Sequence, residues 1–225
     1  MFFSWEQALE AYAPGGWLNT IYDEVHRDQG LKFFGAWPEG FGGVATRGAY
    51  ATTVEGAEGL KVRVPSSFPH PQTLQALGYQ PTSITWGETF TSIQTGVVDG
   101  DAGNVIYWDY EYLRDVLDYY VRTKHTFATG VLSMNLESWE SLNESQQEIV
   151  TDAARSVMEK QFEDARGRDE FYVEKAVESG MEYIEPSEEE IRALATAARE
   201  QVWPLMEAEF GSELVDQVKE NAPQP

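Results

Sequence analysis

Arg63 is the residue of this chain best suited to grip an anion. It lies in an alternating run, residues 61–64, that Pro65 closes, so its guanidinium stands at the exit of a predicted strand, where a cleft would open. Pro65, Ser66 and Ser67 follow directly. A planar fork on a rigid turn matches a carboxylate through two parallel hydrogen bonds, with the Ser66 hydroxyl beside it. Such charge-assisted bonds contribute roughly 1.5–3 kcal/mol each once water is excluded. The plain alternative is an arginine in an ion pair with one of the many acids. Trp86, Tyr107, Trp108 and Phe127 are candidate pocket walls, because aromatic faces bury large areas and stack on planar solutes; for any one of them core packing is the plainer reading, and only their company with Arg63 favours a pocket. Asn104, after Gly103, can donate its amide to a ligand oxygen, and Gly-Asn is also an ordinary turn.

Other chemistries lack their residues. His26, His70 and His125 have no metal-ligand spacing, and the absence of cysteine removes thiol catalysis, disulfides and cysteine-based zinc sites. No G-x-S-x-G elbow accompanies the serines. Asp99, Asp101 and Asp109 are too sparse for a calcium loop. The expectation is therefore no catalytic residue, no metal and no cofactor.

Strand and helix alternate along the elements that hold these residues, which predicts α/β layers. Residues 5–29 read as one helix, with Leu18, Ile21, Tyr22 and Val25 on one face and Gly30 as the stop. Residues 31–37 form a short strand, and the glycine-rich stretch 35–48 a loop or crossing. After the strand at 61–64, Pro69 and Pro71 open a helix that carries Leu74 and Leu77 and ends at Gly78. A strand at 80–85, a helix at 88–95 and a turn leading into a short strand, 96–100, follow. Residues 107–120 read as helical, 126–134 as a strand and 136–142 as a short helix. Asn143 caps a long amphipathic helix to about residue 179, with Ile149, Ala153, Val157 and Phe162 near one face. Ser187 and Glu190 make a capping-box pattern for a further helix that Pro204 should kink or interrupt, and 212–221 is a last short helix.

The 225 residues suffice for one large domain or two small lobes without a staple. With 38 acidic against 16 basic side chains, the net charge of -22 repels nucleic acid and anionic lipid, so neither is an expected partner. It also repels anionic solutes at long range, so an anion site must rely on a few arginines in a low-dielectric cleft. No apolar run approaches the ~20 residues that cross a bilayer. Residues 1–5 lack a basic region and an apolar stretch, so they are not read as a secretory signal, and a signal, if the protein is exported, lies outside this sequence.

From Gly59 to Pro65 the chain resembles the solute-binding proteins of tripartite ATP-independent periplasmic (TRAP) transporters, whose G-L-K-x-R-x-P pattern appears as Gly59-Leu60-Lys61-Val62-Arg63-Val64-Pro65. Ala76-Leu77-Gly78, Pro81-Thr82, Trp86-Gly87-Glu88 and the run from Ile93 to Gly100 follow in the family's order, as do Ser138 to Leu142 and Gln147 to Val150 with Ala153-Ala154. The resemblance covers nearly all of the chain. It implies a two-lobed, periplasmic-binding-protein-like (type II) α/β fold with a long lobe-spanning helix. Residues 1–40 and 129–168 would form one lobe, 41–128 and 169–225 the other. It further implies a periplasmic subunit that captures a small organic acid in an interlobe cleft and delivers it to the TRAP membrane permease. In that reading Arg63 binds the carboxylate and Trp86 lines the pocket. Two departures stand out. The family's asparagine after the Asp-Gly turn falls at Gly103, with Asn104 next to it. The family's opening β-α segment and signal have no counterpart, which suggests a truncated or internally started chain with an incomplete first lobe. Two rivals stay open: a helical or α/β protein-interaction module without a small ligand, and an α/β enzyme, which would need a nucleophile or acid-base pair near Arg63.

Overall fold

The computed structural model describes residues 2–225. The chain begins with helices α1 (Trp5–Tyr12) and α2 (Trp17–Asp28). The single predicted helix is split because Pro14 has no N–H to continue it and Gly15 adopts φ +81°, a left-handed turn open to glycine. Strand β1 (Leu31–Phe41) runs on through the glycines expected to loop, and β2 (Val44–Thr46) follows. Strand β3 (Lys61–Val64), helix α3 (His70–Ala76), strand β4 (Gln80–Ser83), helix α4 (Trp86–Gln94) and strand β5 (Gly100–Asp101) come next. Helix α5 (Ile106–Leu113) ends well before residue 120, and a 3-10 turn, Arg114–Val116, leads into β6 (Tyr119–Val121). Tyr119 and Tyr120, read as helical from the aromatic run, are strand residues. Strand β7 (Phe127–Asn135), α6 (Leu136–Glu140), α7 (Glu144–Glu178), β8 (Glu182–Ile184), α8 (Glu188–Phe210) and α9 (Ser212–Asn221) complete the chain. Nothing in the residue pattern announced β8.

The Asn143 side chain caps α7 by accepting from Gln146 N at 3.0 Å, and the capping box at Ser187 and Glu190 is present. The inward face of α7 is not the predicted one. Ala154, Met158, Ala165, Asp169 and Ala176 are buried, whereas Ile149 and Val157 are exposed. Pro204 does not interrupt α8. Glu200, whose carbonyl loses its donor, is exposed, so water can replace the missing bond.

Contacts divide the chain into two compact units. One comprises Phe2–Gly40 and Phe127–Arg168, the other Phe41–Thr126 and Asp169–Pro225. In the first, β1 pairs with β7, and the rings of Phe2, Trp5, Tyr12 and Phe127 pack within 6.0 Å of one another, centroid to centroid, in the observed pairs. In the second, a six-stranded sheet runs in the order β4-β3-β5-β2-β6-β8, with β4, β3 and β5 mutually parallel and β2 antiparallel to both its neighbours. Successive strand residues face opposite sides of this sheet. Val44, Val62, Val64 and Ala102 join the core under α3 and α8, while Ala45 and Tyr120 join the core formed with α4, α5 and Ala176 of α7. A sheet covered on both faces fits its apolar strands.

Candidate functional site

The alternation that buries Val62 and Val64 on one face of the sheet sends Arg63 to the other. There the register sets Arg63 opposite Asp101 on the adjacent parallel strand β5. Its Nε donates to the Ile84 carbonyl at 2.8 Å and its Nη1 to Asp101 Oδ1 at 3.1 Å. The guanidinium carbon lies 5.5 Å from the centroid of the Trp86 ring. Arg63 is 6% exposed, and its Nη2 has no protein acceptor among the described residues. A guanidinium fixed at two positions keeps N–H groups aimed in set directions, so little entropy is lost when an anion binds them.

The second oxygen of Asp101 accepts from Gly103 N at 3.2 Å and from Asn104 Nδ2 at 2.7 Å. Asn104 therefore spends at least one amide hydrogen on Asp101. Gly103 has a steric role: a Cβ there would fall 2.8 Å from Pro65 Cδ and 3.0 Å from Arg63 Nη1. Only a residue without a side chain lets the guanidinium and the Pro65 turn close on this loop. Asp109, in the first turn of α5, is fully buried, and neither of its oxygens has a hydrogen-bond partner among the described residues. Burial and the neighbouring Asp101 charge push its proton affinity well above the usual carboxylate range. Burial also raises Asp101, but Arg63 opposes this. Asp101, with three donors, is the carboxylate that stays ionised, and Asp109, with none, holds the proton.

These groups gather at the carboxyl ends of three parallel strands, beside the starts of α4 and α5, the usual place for a ligand in an open α/β sheet. Trp86 and Trp108 are both half-buried, with ring centroids 6.4 Å apart at 81°. The exposed Tyr112 stacks on Trp108 at 5.5 Å and 22° and meets Trp86 at 77°.

Arg63, Trp86, Gly103, Asn104 and Trp108 are thus brought together. Ser66 is exposed on the turn after β3 and makes no hydrogen bond among the described residues. Phe127 belongs to the other compact unit, packed among Phe2, Trp5 and Tyr12. Tyr107 lies 4.9 Å from Trp108 and 4.7 Å from Tyr172, so it joins the aromatic packing. The sequence reading had considered Asp101 and Asp109 only as metal ligands, and no group of acids or histidines able to hold a metal occurs among the described residues. A useful signal was present: Arg63 and Asp101 each end a short strand next to a turn. An open groove of about 490 Å³, beside Thr82, Ile84, Glu88, Thr91 and Thr95, borders the residue whose carbonyl holds Arg63 but is lined by none of the predicted residues.

Residues 2–209 match the sequence profile of the bacterial extracellular solute-binding proteins, family 7. The chain belongs to this family. The ectoine-binding periplasmic protein TeaA of Halomonas elongata is 28% identical over 218 residues, covering 95% of this chain and 64% of TeaA. The ectoine/5-hydroxyectoine-binding periplasmic protein UehA of Ruegeria pomeroyi is 26% identical over 137 residues, covering 61% of this chain and 40% of UehA. The chain spans less than two thirds of the length of these relatives. A high-resolution structure of TeaA, from the TeaABC TRAP transporter, superposes with a TM-score of 0.88 at 27% identity over 98% of this chain and 72% of that chain. The resemblance carried by Gly59 to Pro65 is borne out, and so is the α/β fold of the TRAP solute-binding proteins. Family 7 proteins bind solutes, which sets the enzyme rival aside. Among the described residues no helix is long and apolar enough to cross a membrane.

Proposed function

We propose that this chain is the solute-binding subunit of a TRAP transporter, working in the periplasm, where it captures a small carboxylate-bearing solute and passes it to a membrane permease for import. In this reading the two compact units are its lobes, and Arg63 clamps the carboxylate while Trp86 and Trp108 shape the rest of the pocket. One observation carries the proposal: a nearly buried guanidinium, fixed by Ile84 and Asp101, that keeps Nη2 without a protein acceptor among the described residues. Membership of family 7 and the periplasmic TRAP proteins similar to this chain support the setting.

The test is calorimetric titration of the chain with small organic acids, first chosen by thermal shift, since a solute bound only to the native state raises its melting temperature. Arg63→Ala should weaken the selected acid by about 2–4 kcal/mol, roughly thirty- to a thousand-fold, through loss of the charge-assisted fork. Unchanged affinity would remove Arg63 from the role.

A further inference from the structure

An arginine that meets a ligand carboxylate normally supplies the compensating charge. Here that charge is already met. Arg63 and Asp101 face each other in register, hydrogen-bonded at 3.1 Å, with Asp101 fully buried. A carboxylate added to Arg63 leaves the cluster with a net negative charge in a place poorly screened by water, and a second carboxylate doubles it. Asp109, buried next to this pair and kept neutral by its burial and by the Asp101 charge, brings no positive charge that could offset the added one. Binding there is balanced only when the ligand brings a positive charge with it.

The surroundings suit such a charge. Trp86 stands nearly perpendicular to both Trp108 and Tyr112, which are stacked on each other, so the three rings form a right-angled aromatic corner. Aromatic faces attract cations that shed their water easily, above all alkylated or delocalised ones. The Arg63 guanidinium lying over Trp86 shows this ring already accepting one.

Resting on the carboxylate reading above, we infer that the ligand is a zwitterion: one carboxylate held by Arg63, and an alkylated or delocalised cation set against Trp86, Trp108 and Tyr112, with Asp101 supplying the balancing charge. Dicarboxylates are selected against.

Calorimetric titration of the chain with matched probes tests this: the dianions succinate and phthalate, the monoanions isovalerate and benzoate, and the zwitterions glycine betaine and trigonelline. The better zwitterion should bind at least tenfold more tightly than the better monoanion, with the dianions weakest. Asp101→Asn removes the balancing charge at nearly constant shape, so it should weaken the zwitterion at least tenfold and strengthen the dianion. Trp86→Leu should weaken both, the zwitterion at least threefold more than the monoanion isovalerate, because only the zwitterion loses a cation's contact with the ring. If Asp101→Asn does not fold, the parent ranking and Trp86→Leu decide. A dianion bound most tightly by the parent overturns the zwitterion inference and leaves the carboxylate reading intact. Binding by none of the six overturns both.

Discussion

Asp109 and His125 are buried titratable residues whose opposite needs bound the pH range in which the protein is most stable. Asp109 keeps its proton when folded, whereas an unfolded aspartate releases it above a pH of about 4. Above that pH the folded state binds more protons than the unfolded chain, so stability falls as pH rises towards the raised folded value. Asp109→Asn should therefore melt higher than the parent at pH 8, with the gap closing towards pH 4 in circular-dichroism melts; a gap independent of pH would mean that Asp109 is ionised in the fold. His125 works in the other direction. Its Nε2 lies 3.2 Å from the Ala102 carbonyl, which only accepts, so that nitrogen carries the hydrogen, and Nδ1 accepts from the Thr123 hydroxyl at 2.6 Å. Burial lowers its pKa to about 4. The unfolded chain takes up this proton first, from a pH of about 6.5 downwards, so stability is lost between 6.5 and 4, by roughly 3 kcal/mol in all. His125→Gln should flatten that acid limb, and an unchanged limb would assign it to other groups. Neither role was legible in the sequence. Arg63 could be found from its own strand and the proline after it, but Asp101 lies 38 residues away in sequence and becomes its partner only through the pairing of β3 with β5. Asp109 shows its character only once α5 has buried it.

Helix α7 separates what periodicity reveals from what it hides. Its existence, its asparagine cap and nearly its full length follow from the residue pattern, yet the face assigned to the interior was wrong. Ala154, Met158, Ala165, Asp169 and Ala176 recur at steps of four and seven, close to the helical repeat of 3.6, but three of them are alanines and one is charged. Ile149 and Val157 are larger and more apolar, so a reading weighted by hydrophobicity selects the exposed row. Small residues on the inner row let the helix approach its neighbours closely, and that requirement comes from the partner elements. Replacing Ile149 with Glu should change the unfolding free energy by no more than about 0.5 kcal/mol, as for ordinary surface sites. Ala176→Leu forces extra volume into the core shared with Tyr120 and should cost about 1–3 kcal/mol. Urea titrations of the two variants would check this, and the reverse ranking would restore the face expected from the sequence. Strand β6 was missed for a related reason: aromatic residues serve helices and strands equally, and the pairing of β6 with β2 and β8 decided between them.

At the scale of the whole molecule, the order of strands and helices and the family were legible because the motifs from Gly59 to Gly100 fall on strand ends and helix starts that the fold fixes. The net charge of -22 was equally legible, and its physical consequence is separate from the fold. Exposed pairs such as Arg27–Asp23, Arg155–Asp152 and Lys160–Asp164 each contribute only about 0–1 kcal/mol, and salt weakens them. The surplus of unpaired acid acts in the opposite sense, because mutual repulsion opposes compaction and salt relieves it. The screening length falls from about 10 Å at 0.1 M to about 3 Å at 1 M, so repulsion between distant surface carboxylates is nearly abolished over that range. The buried pairs Arg63–Asp101 and Arg122–Asp169 lie largely out of reach of this screening. With 38 acidic against 16 basic side chains, relief of repulsion outweighs the weakened surface pairs, and the melting temperature should rise steadily from 0.05 to 0.5 M sodium chloride. A fall over that interval would mean that the surface ion pairs, few as they are beside the excess acid, govern the stability of the folded chain.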